Sequence, residues 1–392
     1  MNVVAPQEQP ALRTVIQQPG LPAYRVPVFA DLARRDGIAL TVYYGDRASG
    51  PPNTADVGFN AVPVHLRETR IAGQPLMWHG PQWRCATRRH CDVLVLSWDI
   101  HYASLVPALL RARAQGVRTV LWGHGYSKQE AAWRSWPRER IGRLADALLL
   151  YNHTAAQRYL EAGWDSRRIF VALNAIDQSP IQAARQYWLE RPEELADFQR
   201  AHGLDSGPTL LFVSRLAPEN RLDLMVEALA QLAPRHPGVG AVIVGKGEDE
   251  QRRLVELASR RGVADRLRLL GAIYEQQQLA PWFLSADVFC YPSNMGLSIL
   301  HAFGYGLPVV TSDQPSDHGP EIEALRDGQN GLVYRRGDAA SLAQALGRLL
   351  DEAGLREKLA AEALRTATEQ FKLANMVDGF ERAIRGVGRR EA

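Results

Sequence analysis

Apolar residues fall along this chain in two kinds of run. The first kind is short and continuous: RTVIQQ (13–18), IALTVYY (38–44), DVLVLSW (92–98), RTVLWGH (118–124), ALLLYN (147–152) and RIFVALN (168–174). Runs of this length, bounded by Gly or Asp, predict buried strands. Between them, 24–35, 102–115, 128–143 and 153–162 space their apolar residues for helices. The rhythm then restarts, with strands predicted at 209–215, 240–247, 266–271, 287–292 and 307–312. Helices fall at 220–232, 249–261, 275–285, 297–304 and 339–349. One further helix is expected over QAARQYWLERPEELADFQRAHG (182–203) before the polar SGP, and more helix over 352–388. Strands alternating with helices predict α/β architecture with parallel, doubly wound sheets. The expected division is a first Rossmann-like domain over 1–180, a second over 181–370, and a terminal helix over 371–392 that returns to the first. Two such halves would face a central cleft, with ligands at the C-terminal edges of the strands.

Composition narrows this picture. At 392 residues the chain is too long for one compact core, and 46% hydrophobic with 23% charged is an ordinary globular profile. The formal charge of +3 is uneven: residues 1–190 carry 22 Lys/Arg against 15 Asp/Glu, and 191–392 carry 24 against 28. A basic first half suits an anionic surface or acceptor. Cys85, Cys91 and Cys290 offer no disulfide framework, and Cys85-x₄-His90-Cys91 lacks the second ligand pair of a zinc site. The opening MNVVAPQEQPALRTVIQQ has no secretory pattern, and no apolar run reaches the roughly 20 residues of a membrane span. The expected location is therefore the cytoplasm.

The stretch SNMGLSILHAFGYGLPVV (293–310) sets Gly296, Gly304 and Gly306 around a short helix before a strand. A Gly-Leu-Ser helix start offers backbone N–H groups to an anion; equally, glycines there would only relieve crowding between helix and strand. Three other turns at predicted strand ends share the anionic theme. SRLAPENRLDL carries Arg215 and Arg221, GKGEDE carries Lys246, and SDQPSDHGPEIEALRDGQNG follows the last strand. Arginines fixed there suit a diphosphate through forked hydrogen bonds.

Taken in order, LLFVSRLAPENRLDLMVEAL, AVIVGKGEDE, LRLLGAIYEQQQLAPWFLSADVFCYPS, GLSILHAFGYGLPVVTSD and PEIEALRDGQNGLVY resemble the donor domain of retaining family 4 glycosyltransferases of the GT-B fold. In the first half, VIQQPGLPAYRVPVF and VLWGHGY resemble that family's acceptor-domain turns. The resemblance implies transfer of a sugar from a nucleotide-diphosphate sugar, UDP- or GDP-linked, to a saccharide or lipid-linked acceptor, with retained configuration. It implies that Arg215 neutralises the diphosphate and that the backbone at Gly296, Leu297 and Ser298 receives it. Gly271, Ile273 and Tyr274 would border the nucleobase, Gly20 would let the backbone approach the donor, and His124 would lie near the reacting sugar. Arg221, Lys246, and Glu321 or Glu323 would complete the donor site, and nucleic acid would play no part.

Three positions depart from the family. Its two glutamates, seven residues apart, fall here near Ser293 and at His301, where a neutral ring nitrogen can accept one ribose hydrogen bond. The family's lysine falls at Asn220, leaving Arg221 or Lys246 to supply the charge. PEIEAL offers both Glu321 and Glu323 for one glutamate. No Asp-x-Asp stands at a strand end, so metal-independent transfer without a cofactor is expected, and Glu248-Asp249-Glu250 reads as a helix start. AAWRSWPRERIGR (131–143), with Trp133, Trp136 and four arginines, reads either as a solvated helix or as contact with the inner membrane face. Two other readings of the fold are a nucleotide-sugar 2-epimerase and a non-catalytic nucleotide-sugar-binding protein. An epimerase needs paired acids, for which the first half offers the separate Asp46 and Asp99.

Overall fold

The structure is a computed structural model that describes residues 10–45, 57–71, 74–125 and 132–388. Asp46, Arg389 and Arg390 lie outside the described residues, as do the side chains of Trp133, Arg134 and Trp136. The chain divides into two units, residues 1–174 with 373–392, and residues 175–372.

In the first unit the continuous apolar runs become the middle strands of one parallel sheet. Its strands are β1 (Leu12–Gln18), β2 (Ile38–Gly45), β3 (Asn60–Val64), β6 (Val93–Ser97), β7 (Arg118–Gly123), β8 (Ala147–Leu150) and β9 (Ile169–Val171). They lie in the order β3-β2-β1-β6-β7-β8-β9. Every residue of β6 and β8 is buried, because helices cover both sheet faces. The helices are α1 (Val26–Ala33), α2 (Gly80–Arg84), α3 (Leu105–Ala114), α4 (Ala132–Leu144) and α5 (His153–Glu161). Asn152 caps α5 by accepting the Ala155 N–H at 2.9 Å. An antiparallel hairpin, β4 (Arg67–Ile71) and β5 (Gln74–Trp78), interrupts the winding.

The second unit opens with α6 (Ser179–Leu189) and α7 (Pro192–Ala201), where one helix was expected. Pro192 has no N–H to continue a helix but suits a first turn, so it ends one helix and starts the next. The sheet follows in the order β12-β11-β10-β13-β14-β15. Its strands are β10 (Thr209–Val213), β11 (Gly240–Val244), β12 (Leu267–Leu269), β13 (Val288–Cys290), β14 (Val309–Ser312) and β15 (Gly331–Tyr334). The helices between are α8 (Leu222–Leu232), α9 (Glu248–Arg261), α10 (Gln276–Leu284), α11 (Ser298–Gly304), α12 (Ala339–Asp351) and α13 (Ala353–Arg365). The acidic triplet does begin α9, and Asp338 caps α12 with two accepted hydrogen bonds.

The last helix, α14 (Leu373–Gly388), belongs to the first unit. Phe380 packs edge-on against Trp122 and Phe29, with ring centroids 4.6 and 6.3 Å apart. A side chain at Gly379 would run into the backbone of Val171 and Ala172, so glycine lets α14 lie directly on β9.

Candidate functional site

In each sheet, strand order reverses at one point: between β1 and β6 in the first, and between β10 and β13 in the second. Doubly wound sheets bind ligands in the crevice beyond the strand C-termini at that reversal. The candidate residues gather at these two edges.

In the second unit, β10 ends in Ser214 and the exposed Arg215. The turns after β10 and β11 are zipped together: Ser214 N–H donates to Val244 O at 3.0 Å and Leu216 N–H to Lys246 O at 2.7 Å. Gly245 N–H in turn donates to Gly271 O at 2.8 Å, which ties in the turn after β12. Arg215 and Lys246 thus extend from a fixed backbone. Arg221 has the left-handed φ of 55° and is held by Asp223, with Nη2 to Oδ2 at 2.8 Å. The Asp223 carboxylate raises the Arg221 pKa and absorbs its charge locally.

Across the reversal, β13 runs into Tyr291, which the sequence did not single out. Its ring is buried, and its hydroxyl accepts from Asn220 Nδ2 at 2.8 Å. Burial raises its pKa, while hydrogen bonds to Ser214 and Ser298 and the charge of Arg215 pull the other way. One phenol therefore meets the end of β10, the position of the family lysine and the start of α11. Asn220 is engaged at both ends of its amide: Oδ1 accepts the Ala217 N–H at 3.0 Å, and its backbone carbonyl accepts the Ser293 N–H at 3.1 Å.

The loop before α11 is clamped from the other side. His318 Nδ1 accepts the Met295 N–H at 3.2 Å, and Gly319 N–H donates to Met295 O at 2.7 Å. With the loop so fixed, the N–H groups of Gly296, Leu297 and Ser298 donate to no acceptor among the described residues. Successive free donors of this kind suit an oxyanion. Because α11 is only seven residues long, an anion here would meet these local N–H groups rather than a long dipole. The two glutamates left open by the sequence are separated here. A Cβ on Gly296 would find Glu321 Oε2 at 3.7 Å and nothing else within 4 Å, so the buried Glu321 is the one brought to the loop.

His301 lies on α11 with Nε2 2.9 Å from Gln276 Oε1, which also accepts the Tyr305 hydroxyl at 3.1 Å. Its ring is 4.9 Å from Phe283, and desolvation lowers its pKa to about 4, so it is neutral near pH 7. Against an amide oxygen, neutral Nε2 must donate, which leaves Nδ1 as the accepting nitrogen. Gln276 also joins α11 to the Gly271–Tyr274 turn, on which Tyr274 stands 78% exposed.

At the first unit's edge, Gly20 follows β1, Asp99 follows β6 and His124 follows β7. Asp99 is not isolated: His101 Nδ1 lies 2.7 Å from its Oδ1. The His124 ring stands 4.8 Å from Tyr151. Cys85 and Cys91 are both buried; Cys91 Sγ donates to Cys85 O, and burial raises the Cys91 pKa to about 12. Among the described residues, no cluster of three His, Cys, Asp or Glu is placed to hold a metal, and no helix is long and apolar enough to cross a membrane.

Residues 207–352 match the family model described as glycosyl transferases group 1. The lipopolysaccharide core biosynthesis glycosyltransferase LpsE of Rhizobium meliloti is 28% identical over 61% of this chain and 64% of its own length. The D-inositol 3-phosphate glycosyltransferase of Acidothermus cellulolyticus is 33% identical over 58% of this chain and 52% of its own. The alignments thus span between half and two thirds of these relatives. In fold the likeness runs further. The crystal structure of Anabaena HepE in complex with UDP superposes with a TM-score of 0.72 at 17% identity, covering 95% of this chain and 99% of that one. Both halves therefore share the paired α/β architecture of GT-B proteins, and the second unit is similar to the glycosyl transferases group 1 over residues 207–352.

Proposed function

We propose that this chain is a retaining glycosyltransferase that moves a sugar from a nucleotide-diphosphate sugar to a saccharide or lipid-linked acceptor. The observation that carries the reading is the run of unpaired N–H groups at Gly296, Leu297 and Ser298, facing the strand-order reversal that Arg215 borders from β10. A diphosphate set there meets backbone donors on one side and a guanidinium on the other. As the glycosidic bond breaks, charge grows on the diphosphate oxygen, and donors fixed in advance stabilise it without reorganising. Arg215 supplies the formal charge, Lys246 adds a second from the adjoining turn, and the buried Glu321 faces the sugar end of the loop. Tyr274 offers a ring to the base and His301 Nδ1 accepts from a ribose hydroxyl. No step needs a metal or a resident cofactor. Acceptors of glycolipid or polysaccharide type fit the named relatives, and the basic first half fits work at the cytoplasmic membrane face.

Calorimetric titration of UDP, GDP and ADP and their sugars, with and without magnesium, tests the reading. One nucleotide should bind with micromolar affinity, indifferent to magnesium, and lose at least tenfold in Arg215→Ala. No binding by any nucleotide would overturn it.

A further inference from the structure

Arg25 is 5% exposed, yet its guanidinium forms no ion pair among the described residues. Arginines at that depth are almost always paired with a carboxylate. Among the described residues its five donors have one protein acceptor, the weakly accepting Met376 sulfur, 3.4 Å from Nη1. The rest of its surroundings is aromatic: the Tyr24, Trp122 and Tyr151 rings stand 5.1, 5.1 and 5.4 Å from the guanidinium carbon. These faces stabilise a cation but accept no in-plane hydrogen bond. No Arg25 nitrogen is sealed from solvent without a partner, so the remaining donors border the small open part of the side chain.

The position matters as much as the burial. Arg25 follows the turn that carries Gly20 at the end of β1, and Tyr151, which it covers, follows β8. The same Tyr151 ring lies 4.8 Å from His124. Arg25 therefore belongs to the ligand-binding edge of the first sheet. The acid placed there by β6, Asp99, is already bonded to His101.

We propose that Arg25 is an oxyanion-binding group of the first unit, taking the phosphate or carboxylate of an acidic acceptor. This rests on the glycosyltransferase reading for the word acceptor, but the anion site stands on Arg25 alone. The aromatic box fixes the guanidinium plane, so a bidentate oxyanion binds without first ordering the side chain. The basic surplus of residues 1–190 draws such a ligand inward.

The test is calorimetric titration of the full chain with glucose 6-phosphate, glucuronate and neutral methyl glucoside, alongside the nucleotide that binds the second unit. One of the two acids should bind at least tenfold more tightly than the neutral sugar, and which one does so identifies phosphate or carboxylate as the source. Arg25→Met keeps the unbranched apolar stem and should lose that preference, and Arg25→Lys should retain part of it. Arg215→Ala should keep it while losing the nucleotide. Should Arg25→Met fail to fold, the His124 ring resonance in the unaltered protein decides, because it should shift with the acid and not with methyl glucoside. Equal affinity for acid and neutral sugar, or a preference lost in Arg215→Ala and kept in Arg25→Met, would overturn the proposal. If the nucleotide binds normally in that case, the glycosyltransferase reading survives it.

Discussion

Asn220 uses both ends of its amide, on Tyr291 and on Ala217, inside a 3% exposed site. The side chain at the position where the resemblance places a lysine is thus a structural one. Restoring the charge as Asn220→Lys would break two hydrogen bonds and bury an ammonium, so we expect a loss of about 2–3 kcal/mol in urea unfolding rather than a gain in affinity. An unchanged midpoint would mean that the site opens to water. The buried His79 and the half-buried His301 make a second prediction. His79 and His301 both have pKa values lowered to about 4 by desolvation, from 6.5. The unfolded chain takes up their protons near pH 6.5 and the folded protein only near 4, so their contribution is complete above pH 6.5 and declines as pH falls toward 4. Each group adds a slope of at most about 1.4 kcal/mol per pH unit within that window. Urea unfolding at pH 7 and pH 5 should show a smaller pH loss in His79→Gln and in His301→Gln than in the unaltered chain. Equal losses in all three proteins would sink the assignment.

Among the elements, the strand turns carry the site, and their glycines set its tolerance. A Cβ on Gly245 would collide with the Ser214 carbonyl and come within 3.2 Å of Leu216, pushing apart the turns that position Arg215 and Lys246. Gly245→Ala should therefore weaken nucleotide binding at least tenfold by calorimetry. Gly354→Ala, with nothing within 4 Å in the first turn of α13, should be neutral or stabilising by up to about 1 kcal/mol. The central strands were legible because strands buried on both faces read as unbroken apolar runs. β3, β4 and β5 were not, since NAVPV and RETRI mix polar residues into exposed positions that resemble loop. The split at Pro192 was readable from proline chemistry but hidden by helical periodicity on both sides. Within the site, Arg215 and the Gly-Leu-Ser turn were visible as motifs. Tyr291, Gln276 and His318 were not, because their roles come from contacts between segments far apart in sequence. That Glu321 lies beside Gly296 likewise needed the fold, since two acids on one short turn look alike in sequence.

For the molecule as a whole, the first unit is discontinuous: residues 373–392 complete it after the entire second unit has intervened. Met376, Val377, Phe380, Ile384 and Val387 of α14 are fully buried there. A chain stopped after Lys372 should keep slow hydrogen exchange in β10, β11 and β13 but lose it in β6, β7 and β8. Full protection of the first sheet in that chain would show that α14 is dispensable to it. The usual expectation for a nascent chain is that the leading domain folds first. Here the ribosome delivers α14 only after the second unit has emerged, so the leading sheet must wait with Phe29 and Trp122 uncovered. The side chains that α14 covers are therefore without that cover until the whole of the second unit has been made.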